Sequence, residues 1–214
     1  MAIQIGINGF GRIGRVAFRI AISQPETFHL CGINVRNADL NYMVYMIRYD
    51  SIFGRFQGEL SVYDGGILVN GQKIPVFSES DAASIPWKAC GAEYIIDATG
   101  AFCTTQKAMA HIHAGAKKVI ISAPAKDEET PTFVMGINQN KYTPDMQVVS
   151  NASCTTDVDN DPYARKVPCA LTAVCRVHQR PEWKRMRICA ENVCILAWYF
   201  SHSICFHSIQ RYRM

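Results

Sequence analysis

A chain of 214 residues, 49% apolar and 19% charged, has the material for a buried core and is too mixed for a fibrous or disordered class. Its net charge of +4 is uneven: residues 1–156 hold 13 Lys and Arg against 13 Asp and Glu, whereas residues 157–214 hold 9 against 5. The opening Met1-Ala2-Ile3-Gln4-Ile5 has no basic region or cleavage site, and Ser201, His202, Ser203, His207 and Ser208 interrupt the apolar run 194–209. These features argue against export and a membrane span, and predict a cytoplasmic protein whose nine cysteines are reduced thiols.

Ile3, Ile5 and Ile7 alternate as a buried strand ending at Asn8. Gly9-Phe10-Gly11-Arg12-Ile13-Gly14 follows, and Val16, Ile20 and Ala21 then recur at helical spacing. In this strand, turn and helix, Gly9 permits the tight turn, Gly11 clears a side chain from the path of a pyrophosphate, and Gly14 lets helix pack on strand. Asn8, Gly9, Gly11, Arg12, Ile13 and Gly14 are the first candidate cofactor-binding residues, with phosphates at the helix N-terminus.

A second strand at 28–34 ends in Asn34-Val35-Arg36-Asn37, where this type of fold normally presents a carboxylate to the adenosine ribose. Arg36 could instead meet a 2′-phosphate, which admits NADP beside NAD; Asp39, a turn further on, is the weaker ribose candidate. Helices are predicted at 39–49 and 105–114, and strands at 66–69, 73–77, 94–97, 119–122, 132–135 and 147–150. Asp50, Gly54, Gly65-Gly66, Asn70-Gly71 and Pro124 punctuate the turns. The alternation predicts an α/β protein of Rossmann type, with a doubly wound, mostly parallel sheet. Thr99, Gly100 and Ser122, on loops after two of its strands, complete the expected cofactor crevice.

Residues 150–156 read Ser150-Asn151-Ala152-Ser153-Cys154-Thr155-Thr156, a polar cradle around one cysteine and a poor core segment. After it the composition breaks. All 14 glycines lie at or before Gly136, and five of the nine cysteines fall after Thr156. Two regions are therefore expected: a dinucleotide-binding domain at 1–156, and at 157–214 an irregular, poorly ordered tail that reads as out-of-frame or unspliced sequence. Within the tail, Cys189, Cys194, His202, Cys205 and His207 match no standard zinc spacing, so no metal is expected. No nucleic-acid-binding module surrounds the basic, aromatic runs Trp183-Lys184-Arg185-Met186-Arg187 and Arg211-Tyr212-Arg213.

The first 156 residues resemble phosphorylating glyceraldehyde-3-phosphate dehydrogenase. The matching pieces are Ile5 through Arg15, Tyr49-Asp50-Ser51, Ala98-Thr99-Gly100, Gly115 through Pro124, Phe133-Val134-Met135-Gly136, and Ser150 through Thr156, in family order and spacing. The resemblance implies a glycolytic oxidoreductase that oxidises glyceraldehyde 3-phosphate with NAD or NADP and inorganic phosphate, through a thioester on Cys154. Ser153 and Thr155 would hydrogen-bond the phosphate, and the family is homotetrameric.

The chain then departs from the family. Asp157-Val158-Asp159-Asn160-Asp161-Pro162 replaces a small apolar and amide run, and its three carboxylates would raise the Cys154 pKa. His178, 24 residues past the cysteine, lacks the threonine-rich surroundings of the family base. Ser80 stands where many relatives carry an arginine near the adenine. A truncated enzyme with impaired turnover and non-native assembly is the expectation. The alternative is a nucleotide-binding module without catalysis, whose basic tail meets a macromolecular partner.

Overall fold

The computed structural model describes residues 2–51, 53–133 and 138–151. In chain order they form β1 (Ile3–Asn8), α1 (Arg12–Ser23), β2 (Phe28–Asn34), α2 (Leu40–Arg48), β3 (Tyr49–Asp50), β4 (Gly54–Arg55), β5 (Leu60–Tyr63) and β6 (Gly66–Val69). Then come β7 (Gln72–Phe77), α3 (Trp87–Cys90), β8 (Tyr94–Asp97), α4 (Thr105–His113), β9 (Lys118–Ile121), β10 (Thr132–Phe133) and β11 (Val148–Asn151). Nine strands make one sheet in the order β10-β11-β9-β8-β1-β2-β7-β6-β5, while β3 and β4 pair as a separate antiparallel ribbon.

From β10 across to β7 every pairing is parallel, and only β5 and β6 join antiparallel at the far edge. Both neighbours of β1 run parallel to it, and the chain builds outward on one side through β2 and later on the other through β8, so the strand order reverses at β1. At such a switch point the following loops part and leave a crevice at the carboxyl ends of the strands.

Strand alternation explains the two cores. Ile3, Ile5, Ile7, Ile96 and Ile120 point to the face carrying Phe18 of α1 and Met43 and Ile47 of α2; Ile95, Val119 and Ile121 point to the other, against Trp87 and Ala108 of α4. Burying two faces of a parallel sheet requires such near-continuous apolar strands. Gly6 of β1 is small because Trp87 lies on it: a Cβ there would stand 2.6 Å from the indole.

The predicted parallel strands and both predicted helices appear within a residue or so of their expected ends, and the doubly wound fold is as expected. Of the predicted strand 132–135, Thr132–Phe133 is described. The sequence reading did not anticipate β3, β4, β5 or α3. The first two are two-residue strands and α3 is a four-residue helix. Of β5 only Leu60 is buried, so an edge strand of four residues offers no clean alternation.

Candidate functional site

The glycine turn after β1 is built as its sequence suggests. Gly9 has φ +92°, and a Cβ there would meet Thr99 and the Ala98 carbonyl carbon at 2.8 and 2.9 Å, so the loops after β1 and β8 touch through a missing side chain. At Gly14 a Cβ would stand 2.0 Å from the Gly9 carbonyl oxygen, which is why helix and turn pack so closely. A Cβ at Gly11, by contrast, would meet nothing within 4 Å. The open space lies directly before α1.

Gly11 caps α1 with no side-chain hydrogen bond and no acidic residue in the first turn. The first-turn N–H groups therefore lack intrahelical acceptors and present the positive end of the helix dipole, an arrangement suited to phosphate. Arg12 is exposed at this end, with Nη1 3.7 Å from Oδ1 of buried Asp50. Arg15 turns inward and donates to the Phe10 carbonyl at 3.2 Å, bracing the turn; Ile13 is half-buried behind it.

Behind the crevice lies a run of buried polar groups. The Asn8 amide donates to Asp97 Oδ2 at 2.7 Å, and its Oδ1 accepts from Asn34 at 2.8 Å. The Asn34 side chain in turn grips the Glu79 backbone, Nδ2 to the carbonyl at 3.0 Å and Oδ1 from the N–H at 2.9 Å. Asp97 Oδ1 accepts from both the Thr99 hydroxyl, at 2.8 Å, and the Thr99 N–H, at 3.2 Å. His111 Nε2 lies 3.2 Å from Asp97 Oδ2, and the Trp87 indole donates to His111 Nδ1 at 3.0 Å.

The structure thus brings Asn8, Gly9, Gly11, Arg12, Ile13, Gly14, Thr99 and Gly100 together at the carboxyl ends of β1 and β8. Ser122, directly after β9, is tied in by its N–H to the Asp97 carbonyl at 2.9 Å. Arg36 stands exposed just past β2. Asp39 is occupied: its carboxylate accepts from the N–H groups of Asn41 and Tyr42 as the N-cap of α2. Ser80 is exposed beside Glu79.

Sequence reasoning missed Asp97, His111 and Trp87. The available signal was a carboxylate closing the apolar strand Tyr94-Ile95-Ile96-Asp97 two residues before Thr99. That strand end has no reason to bury a charge unless donors converge on it.

β11 runs parallel to β9 and ends at Asn151, at the same sheet edge. Ser150 is buried and donates to the Ala123 carbonyl at 2.7 Å; Asn151 is also buried, and its amide finds no partner among the described residues. Ser153, Cys154, Thr155, His178 and the whole of 157–214 lie outside the described residues. Burial pushes the Cys31 thiol up to about 12, with Cys90 and Glu93 adding to the shift. Cys90 and Cys103 are also raised, chiefly by burial, and none of these three is a ready nucleophile at neutral pH. Among the described residues no cluster of three or more His, Cys, Asp or Glu could hold a metal, and no helix is long and apolar enough to cross a membrane.

A parallel sheet with its switch point at β1, a glycine turn against β8 and an uncapped helix end facing open space defines a dinucleotide-binding domain of Rossmann type. Comparison with known proteins narrows the class: residues 3–105 match the family described as glyceraldehyde 3-phosphate dehydrogenase, NAD binding domain. Residues 3–105 are thus similar to the NAD-binding domain of that dehydrogenase family. It is 53% identical over 157 residues to glyceraldehyde-3-phosphate dehydrogenase 2 of Mucor circinelloides f. lusitanicus, covering 73% of this chain and 46% of that protein. Similarity to the cytosolic glyceraldehyde-3-phosphate dehydrogenase of Chondrus crispus is 52% identity over 156 residues, 73% of this chain and 46% of that one. With the Aspergillus niger enzyme the match is 44% identity over 208 residues, 90% of this chain and 61% of the other, and so reaches past Thr156. The chain spans about half the length of the curated relatives it matches.

Proposed function

We propose that this chain binds NAD in the crevice between β1 and β8 and oxidises glyceraldehyde 3-phosphate through a thioester on Cys154. The observation that carries the reading is the Gly9–Gly14 turn, with open space at Gly11 before an uncapped helix. The 44–53% identity to the dehydrogenases supports it. NAD, when bound, supplies the hydride acceptor.

The Cys154 thiolate would add to the aldehyde carbon to give an alkoxide, and that alkoxide would collapse to the thioester as hydride leaves the same carbon for the acceptor. Inorganic phosphate then attacks the acyl carbon, the thiolate departs, and an acyl phosphate is released. Ser153 and Thr155 offer hydroxyls to the phosphate. The chain's own groups would bind and orient: the first-turn amides of α1 and Arg12 would hold the pyrophosphate, and Thr99, Gly100 and Ser122 would line the crevice wall.

Residues 1–156 form the functional unit in this reading, with 157–214 as an appendage, in the cytoplasm. Impaired turnover belongs to this reading, because the sequence sets Asp157, Asp159 and Asp161 close behind Cys154, where their charge would disfavour a thiolate, and gives His178 none of the surroundings of a base. Exposed Arg36, with no carboxylate at the end of β2, favours tolerance of NADP. A second reading, a nucleotide-binding module with a macromolecular partner, draws on the charge surplus beyond residue 156.

The test is single-turnover reduction of NAD and of NADP with glyceraldehyde 3-phosphate, comparing the chain with Cys154→Ser. A burst that the variant loses is expected. Absence of a burst with either cofactor overturns the oxidoreductase and leaves the module.

A further inference from the structure

One continuous string of hydrogen bonds crosses the carboxyl ends of four neighbouring strands, from the backbone of Glu79 just past β7 through buried Asn34 on β2 and Asn8 on β1 to Asp97 on β8. Its hydrogen-bond polarity is fixed from both ends. At one end the Glu79 N–H can only donate, so Asn34 must present Oδ1 to it and Nδ2 to Asn8. Asn8 must then present Oδ1 to Asn34 and its NH₂ to Asp97.

At the other end the Trp87 indole can only donate, so His111 Nδ1 must be a bare lone pair and its proton must sit on Nε2, facing Asp97. The 3.4 Å separation of Asn8 Nδ2 and His111 Nε2 is then a contact between two donors sharing one acceptor. Thr99 adds its N–H and hydroxyl on the other oxygen. Both directions of polarity thus end on Asp97 Oδ2, which accepts from each, and all the groups meeting at Asp97 are almost wholly buried except Thr99 at the crevice wall.

We propose that Asp97 is the positioning residue of the nucleotide crevice, and that Trp87 enforces this role by locking the tautomer of His111. One oxygen orders the loop after β8 through Thr99; the other orders the ends of β1 and β2 through the Asn8 and Asn34 amides. The inference rests on the nucleotide reading above. Its chemical signature is that the carboxamide of Asp97→Asn, nearly the same shape, sets an NH₂ among donors, and that His111 cannot adapt while the indole N–H faces Nδ1. Trp87→Phe removes that N–H and frees His111 to move its proton to Nδ1 and accept from the new amide.

The experiment measures NAD and ADP-ribose affinity by titration calorimetry for the full chain, Asp97→Asn, Trp87→Phe and the double variant. Asp97→Asn weakens binding about tenfold or more, the effect of an unsatisfied buried donor, while the double variant binds more tightly than Asp97→Asn alone. A carboxyl with a merely structural role gives no such rescue, since removing a buried indole adds only further damage. Asp97→Asn affinity within about threefold of the parent, or a double variant weaker than Asp97→Asn, overturns the proposal and leaves nucleotide binding standing.

A parent chain that binds neither nucleotide overturns both readings. Should the variants fail to fold, nitrogen-15 spectra of the parent's histidines decide, with His111→Gln giving the assignment: the Nε2–H tautomer is expected, and an Nδ1–H signal for His111 sinks the lock.

Discussion

The two ends of the sheet are held together by different forces. At the far edge, β5, β6 and β7 meet through apolar side chains, with Ile67 opposite Ile74 and both fully buried. Along the carboxyl ends of β1, β2, β8 and β11 the buried side chains include Asn8, Asn34, Asp97, Ser150 and Asn151, and no buried polar side chain among the described residues belongs to β5, β6 or β7. Apolar packing asks only for shape, whereas buried polar groups ask for defined partners and therefore fix the positions of loops. The difference teaches that this fold invests its directional interactions where a ligand would need exact walls, and leaves the antiparallel edge to carry stability alone.

The sharpest way to break that contrast is at the junction of turn and helix. Gly14→Ala would place a methyl against the backbone of Gly9, where neither side is a flexible side chain. A loss of about 4 kcal/mol is expected, at the upper end for packed interiors, together with loss of NAD binding. Denaturant unfolding and a nucleotide titration check it; a stable Gly14→Ala chain that still binds NAD would show that the turn is not the phosphate cradle.

Next in size is Ile74→Ala on the far edge. Removing a fully buried branched side chain costs about 3 kcal/mol, but NAD affinity of the folded fraction should stay unchanged. A shift in affinity equal to the loss of stability would erase the distinction between the two ends.

How much of this was legible beforehand divides along the same line. Buried strands rich in branched apolar residues, such as the alternating Ile3, Ile5 and Ile7 and the run Val119-Ile120-Ile121, announce themselves, and so does a glycine spacing whose three positions have three separate steric reasons. The Asp39 cap hid behind its position near the ribose site, because a carboxylate before Leu40 serves a helix start as readily as a ligand. The Asp97 network was legible only as a carboxylate at a strand end: His111 lies 14 residues from Asp97 and 24 from Trp87, and it is the packing of α3 and α4 beside β8 that brings the three together. Side chains that meet across strands leave no local period in the sequence.

The smallest predicted effect lies in acid, and it probes the loop that seats α4. The Asp127 carboxylate accepts from the Thr105 and Thr130 N–H groups at 2.8 and 3.3 Å. Burial alone would raise its pKa, but these bonds, with one from the Thr130 side chain, outweigh burial and hold it below the usual 3.8. A carboxylate whose pKa is depressed on folding stabilises fully above its unfolded value, and that contribution fades as pH falls through the lower folded value. Asp127→Asn should therefore lower the thermal midpoint slightly at neutral pH and converge with the parent as pH falls through the depressed folded value of Asp127. The loop is partly open to water, so the difference is small. Because Asp127 sits at the start of α4, two turns before His111, a variant that also weakened NAD binding at neutral pH would extend the ordered polar edge into this loop. Unchanged affinity would confine that edge to the strand ends.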